Sequence, residues 1–225
     1  MPDFFNVIYE NRILFLEGIM NTVLLTSVGL SLGLLIGLFI GMGKRSNVML
    51  ISIPSKVYID VFRGTPLFLQ ILTIHFALIP MVFKDILGLP VPDAMFSGYV
   101  ALTLNSAAYI AEIFRAGINS IDRGQGEASR SLGMTEKQAM RHVILPQAFK
   151  RMIPPLGNEA IALLKDSALV AIVAAHELGY YTFSLSKSYA ADRWTIYIFA
   201  GLIYLCFTLL LSKLVSYLER RYQTT

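Results

Sequence analysis

From Gly18 to Gly43 the chain carries no Asp, Glu, Lys or Arg. A helix rising ~1.5 Å per residue over that run reaches about 39 Å, more than the ~30 Å hydrocarbon core of a bilayer. Backbone polar groups in lipid must pair with one another, so an isolated run of this kind is a helix. Gly64 to Phe83, Ala94 to Ala111 and Trp194 to Ser212 are likewise uncharged and near span length. A further stretch near 153–175 is apolar but interrupted by Glu159, Lys165 and Asp166. The chain is 15% charged, too little for a soluble domain of its size. These runs predict an all-α membrane protein with about five transmembrane helices, at about 18–43, 57–83, 94–115, 153–175 and 194–214.

The basic residues orient it. With the N-terminus outside, fourteen Lys and Arg fall on inside segments, four on outside segments, and Lys165 within a span. That asymmetry places the C-terminus inside. The net charge of +4 then needs no nucleic-acid partner, because inner loops facing anionic lipid account for it. Asp3, Glu10 and Glu17 give the N-terminus no basic region of the kind a cleaved signal peptide carries. The single cysteine, Cys206, excludes an intrachain disulfide and a cysteine-cluster metal site.

Residues 1–17 read as an amphipathic lead-in at the outer interface, with Phe4, Phe5, Ile8, Ile13 and Leu14 among charges. The membrane-spanning body is expected over 18–222. Gly29, Gly33, Gly37 and Gly41 recur every fourth residue and share one helix face, suited to close packing within the chain or between subunits. Pro54 is expected to break the turn after the first span, and Arg63-Gly64-Thr65-Pro66 predicts a kink or helix start in the second. Residues 176–193 form an outer loop with Tyr180, Tyr181, Tyr189 and Trp194 as interface anchors.

The long polar stretch between the third and fourth spans, 116–151, predicts two short helices over 122–150. Asp122 can cap the first and Thr135 the second, with Gln138 at the capping-box position. Gly133 falls where a helix end needs positive φ. Ala128, Leu132, Met134, Ala139, Met140 and Val143 supply an apolar face, and Pro146 marks the return to the membrane.

Glu127-Ala128-Ser129, then Gly133, then Val143-Ile144-Leu145-Pro146, resembles the EAA loop of ABC-importer permeases, with Ser129 and Val143 standing where the family has Ala and Ile. Arg63-Gly64-Thr65-Pro66-Leu67 with Gln70, Asn105-Ser106-Ala107-Ala108-Tyr109 with Glu112, and Asn158-Glu159 with Lys165-Asp166-Ser167 resemble its polar-amino-acid subfamily. The resemblance implies the MetI-like permease fold and a membrane subunit of an ATP-driven importer in the bacterial inner membrane. It implies an ABC ATPase dimer, a second permease chain, the same or paralogous, and an external binding protein as partners. The cargo would be a polar amino acid such as glutamine, arginine, histidine or cystine. Coupling to the ATPase would run through Glu127, Ala128, Ser129, Leu132, Gly133, Val143, Leu145 and Pro146. The small Ala128 and Ser129 would enter the ATPase cleft.

Within the membrane, Asn105, Gln70, Glu159, Lys165 and Asp166 are expensive, a centred charge costing at least ~2.5 kcal/mol. They suit either a substrate pathway, with Glu159 taking an ammonium group, or a structural network. His75 lacks metal-ligand spacing and reads as a packing residue. Arg63 can pair with Asp60 as a gate or snorkel to the interface. Gly41-Met42-Gly43-Lys44-Arg45 fails as a P-loop, since Leu38 replaces the first glycine and Arg45 the magnesium ligand. The chain is therefore expected to bind no cofactor and to be no enzyme, with ATP and Mg held by the partner. An ion-gradient-driven secondary transporter is the rival reading, favoured by the intramembrane charges. A non-transporting scaffold is a third.

Overall fold

The computed structural model describes residues 4–222, without the side chains of Phe4 and Phe5, so Asp3 and those two side chains lie outside the described residues. The described residues are almost all helical, with no strand among them. A short helix α1 (Phe4–Glu10) leads into α2 (Arg12–Lys44). Thus α2 begins six residues before the apolar run and takes in much of the expected lead-in. Phe15 is buried inside the protein rather than laid on an interface.

α3 (Met49–Gly64) runs through Pro54 without ending there, so the expected break is absent. Pro54 sits in the second turn of α3 and removes one helix hydrogen bond there without ending the helix. The break comes at Thr65, extended at φ −122° and ψ 148°, and α4 (Leu67–Ile86) follows Pro66. Two π-turns, Ile74–Leu78 and Met81–Ile86, widen α4 around Pro80. α5 (Ala94–Asn119) is capped by Asp93, whose side chain accepts the Phe96 N–H at 2.9 Å.

The polar loop supplies α6 (Arg123–Ser131). Residues 136–166 then form one unbroken helix, α7, which passes a π-turn at Met140–Ile144 and continues through Pro146, Pro154 and Pro155. The second short helix expected in the loop is therefore the first part of α7, continuous with the stretch expected as the fourth span. A 3₁₀ segment, Ser167–Val173, closes α7 and ends on Ala174 at φ 60°. α8 (Leu178–Ser188) occupies the expected outer loop, and α9 (Arg193–Tyr222) ends the described chain. Three of these stretches, Arg12–Lys44, Leu67–Ile86 and Ala190–Tyr222, are long and apolar enough to cross a membrane by themselves. α5 and α7 are long enough but carry more polar side chains.

The main core joins α2, α4, α5 and the end of α7 through Leu25, Ile71, Leu102, Leu163 and Val170. The glycine face of α2 settles against α5 of the same chain, the plainer of its two expected roles. A Cβ on Gly33 would lie 3.0 Å from Ser106 Oγ, and one on Gly37 would lie 2.7 Å from the Ala107 carbonyl oxygen. Small residues on both sides let the two backbones touch. Of the expected interface anchors, Trp194 is 80% exposed, whereas Tyr181 is buried in the protein.

Candidate functional site

The hairpin is built from its caps. Asp122 Oδ1 accepts the Gly124 N–H at 2.7 Å and starts α6. Gly133, at φ 84°, ends it: its N–H reaches the Arg130 carbonyl at 2.9 Å, and the Met134 N–H reaches Ser129 at 3.1 Å. This paired arrangement is a Schellman stop, which needs a left-handed residue at Gly133. Thr135 and Gln138 form the expected reciprocal box. The Thr135 N–H donates to Gln138 Oε1 at 2.8 Å and the Gln138 N–H to Thr135 Oγ1 at 3.3 Å.

The hairpin is pinned to the membrane helices. Gln147 Nε2 on α7 donates to Gln125 Oε1 on α6 at 3.2 Å, and Arg151 donates to the Ser120 carbonyl. Ile121, Ala148 and Met152 pack beneath as a small separate core.

The expected apolar face divides. Ala139 is buried and Met134, Met140 and Val143 are half-buried, but Ala128 is exposed and Leu132 is 82% exposed. Glu127, Gly133, Leu145 and Pro146 are also exposed. Ser129 differs from expectation. It is buried, its hydroxyl donating to the Gln125 carbonyl at 2.6 Å, so it faces this chain and offers no entry surface. Ser129 follows Ala128 directly, and the rotation of about 100° per residue in a helix turns one inward and the other outward.

Of the polar residues in the membrane, Asn105 and Gln70 meet. Asn105 Nδ2 donates to Gln70 Oε1 at 2.9 Å, and Gln70 Nε2 donates to the carbonyls of Phe62 at 2.8 Å and Thr65 at 3.0 Å. These bonds satisfy the carbonyls freed by the break between α3 and α4, so this pair works as a structural tie. Glu159 and Asp166 stand seven residues apart on α7, on one face, and both are half-buried. Lys165 is exposed, and none of the three joins an ion pair among the described residues. No hydrogen bond joins Asn105 to Glu159.

His75 Nδ1 lies 2.9 Å from Ser97 Oγ, the packing role expected of it. Arg63 lies over the Tyr109 ring at 5.4 Å and forms no ion pair with Asp60.

Two clusters escaped the sequence reading. At the hairpin end, Glu112 holds Lys44 at 3.1 Å and Arg115 at 2.5 Å, tying α2 to α5. At the other end Glu177 is fully buried. Its carboxylate accepts the N–H groups of Gly179 and Tyr180, both at 2.7 Å, and the hydroxyls of Tyr204 at 2.9 Å and Thr22 at 3.3 Å. It caps α8 while binding α2 and α9. A Glu is an uncommon cap, and the only signal was an acid directly before a polar, tyrosine-rich stretch.

The model of the binding-protein-dependent transport system inner membrane component family matches residues 19–224. The chain belongs to this family. Its relatives include a probable glutamine ABC transporter permease of Bacillus subtilis, 36% identical over 96% of both chains. The glutamine transport system permease of Escherichia coli is 38% identical over 92% of both chains. Among solved structures, a crystal structure of an amino acid ABC transporter with histidines superposes with TM-score 0.87 at 42% identity, covering 97% of this chain and 98% of that one. The inward-facing MetNI methionine transporter, at 23% identity and TM-score 0.75, over 94% of this chain and 97% of that one, shares the fold.

The permease is thus an inner-membrane component of an ABC importer, with ATP hydrolysis on a separate subunit. ATPase and binding-protein partners follow from the family. The ion-gradient-driven reading is left without support.

Proposed function

We propose that the permease imports a polar amino acid and receives the force for transport through residues 122–146. The observation that carries the coupling reading is the continuous helical path from that hairpin to Glu159 and Asp166 on α7. α7 runs unbroken from residue 136, beside the exposed Leu132 tip, to Asp166. A pull on the tip would be delivered along one helix to Glu159 and Asp166. Helices transmit displacement well because their hydrogen bonds are internal. Glu127, Ala128 and Leu132 are the residues that would meet the ATPase.

The relatives named for glutamine, arginine and glutamate/aspartate support an amino acid cargo. A zwitterion needs an acceptor for its ammonium and donors for its carboxylate. Glu159 and Asp166 supply acceptors, and Lys165 is a charged donor on the same helix. Asn105 and Gln70 hold the α3–α4 break beside them. One chain presents this stripe half-open, which suits a pathway completed by a second permease subunit. The basic-residue bias supports an outside N-terminus and an inside C-terminus. The permease itself would hold no nucleotide, with ATP and Mg on the partner.

The test is uptake by the permease reconstituted with its ATPase and binding protein. ATP-dependent accumulation of one polar amino acid is expected, and none without ATP. Gly133→Leu should insert normally and retain ATP hydrolysis while losing most uptake per ATP. A Cβ at Gly133 meets no atom within 4 Å, so the direct cost is that of a left-handed backbone, about 1–2 kcal/mol. Unchanged uptake by Gly133→Leu would remove the hairpin from the mechanism.

A further inference from the structure

Where α2, α5 and α7 meet at the hairpin end, a groove of about 630 Å³ opens between them. Its walls are Leu38 and Met42 of α2, Phe114 and Ile118 of α5, and Phe149 and Met152 of α7. Leu38, Met42 and Phe149 are exposed there. Two charged side chains line the groove, Arg45 and Arg115, and Arg115 is committed to Glu112 at 2.5 Å.

Beside it lies a polar hollow of about 370 Å³ that shares Arg45, Ile118 and Met140 and adds Asn119, Asp122 and Arg123. The two spaces make one amphipathic site, an oily trough opening on a cationic mouth with Arg45 at the seam. Arg45 donates a single N–H to Asn119 Oδ1 at 2.9 Å. Neither Arg45 nor Arg123 joins an ion pair among the described residues. Asp122 is the one carboxylate at the mouth, and its Oδ1 is engaged by the Gly124 N–H.

We propose that this site binds an anionic phospholipid, with an acyl chain in the trough and the phosphate at Arg45 and Arg123. The trough is walled by membrane helices at the level where their apolar faces end and basic residues begin. The solvent for such a wall is lipid, and the inner leaflet supplies anionic headgroups to basic residues at that depth. A zwitterionic lipid would bring its own cation against the two arginines, which disfavours it. The lipid would sit across the seam between α2, which is fixed to α5, and the α6–α7 hairpin. It would thereby tie the coupling element to the membrane it works in.

The permease has one tryptophan, Trp194, at the far end of the molecule. Phe149→Trp in a Trp194→Phe background therefore gives a single reporter inside the trough. Nanodiscs are prepared from equal phosphatidylglycerol and phosphatidylcholine, with bromine on the chains of one or the other, with and without the ATPase bound. Brominated phosphatidylglycerol should quench the reporter several-fold more strongly. Arg45→Gln or Arg123→Gln should each lower that preference about fivefold, the weight of one basic residue at an anionic surface, and Arg45→Lys should keep it. Arg123 is exposed, so its variant reports even if Arg45→Gln fails to fold. Equal quenching by both lipids, or a preference untouched by both glutamine variants, overturns the proposal. Quenching that vanishes when the ATPase binds assigns the groove to that protein and overturns it as well.

Discussion

The α2–α5 seam and α7 are both helical, buried in part and membrane-spanning, yet they are built on opposite principles. The seam is glycine against alanine and serine, with backbones in contact and the Lys44–Glu112–Arg115 cluster closing one end. Packing that tight has one solution and resists sliding. α7 carries three prolines, a π-turn and a 3₁₀ end, and its half-buried Glu159 and Asp166 and exposed Lys165 have no ionic partners among the described residues. It has the features of a helix that can change its neighbours. A transporter needs a frame and a moving part, and the two regions supply them by composition.

The largest effect that separates them is expected at Gly37. A side chain there would strike the Ala107 carbonyl and Ile110, both within 2.9 Å of a Cβ. Gly37→Leu should destabilise the permease by about 3 kcal/mol or more, read as loss of folded protein in detergent melts. A stable variant would show that the seam is not rigid.

Next is Glu177→Ala, which removes a helix cap and leaves buried donors on α2, α8 and α9 unpaired. A loss of about 2–3 kcal/mol in the same melts is expected, largely recovered by Glu177→Gln if the carboxylate is structural.

The comparison is sharpened on α7. Glu159→Gln should leave the melting temperature within a degree or two of wild type yet lower uptake about tenfold, the worth of one charge-assisted hydrogen bond. Equal stability with equal uptake would return Glu159 to a structural role. The smallest effect belongs to Trp194→Phe, an exposed ring at the start of α9, for which a change under about 0.5 kcal/mol is expected.

Much of this was legible in the chain because membrane insertion reads local properties. The uncharged run of α2, the break at Gly64–Pro66, the cap at Asp122, the Thr135–Gln138 box and the positive φ of Gly133 each depend on a few adjacent residues. Where the reading failed, the deciding partner was distant. Ser129 turned inward because it lies on the side of α6 that meets the core under Ile144. Asn105 and Gln70 became a tie because the α3–α4 break left carbonyls to satisfy. Glu177 caps α8 locally through Gly179 and Tyr180, but it became a tie to α2 and α9 only through Thr22 and Tyr204.

By itself the sequence determined a helical membrane protein with a capped polar hairpin, since hydropathy and cap chemistry act over single turns, and the resemblance of that hairpin to the EAA loop pointed to a permease. Only the tertiary structure decided which polar residues are mortar and which stay open. It also decided that the hairpin's second helix is continuous with the long helix that runs on to Asp166. Those outcomes rest on hydrogen-bond partners brought together from far along the chain, and no local pattern encodes them.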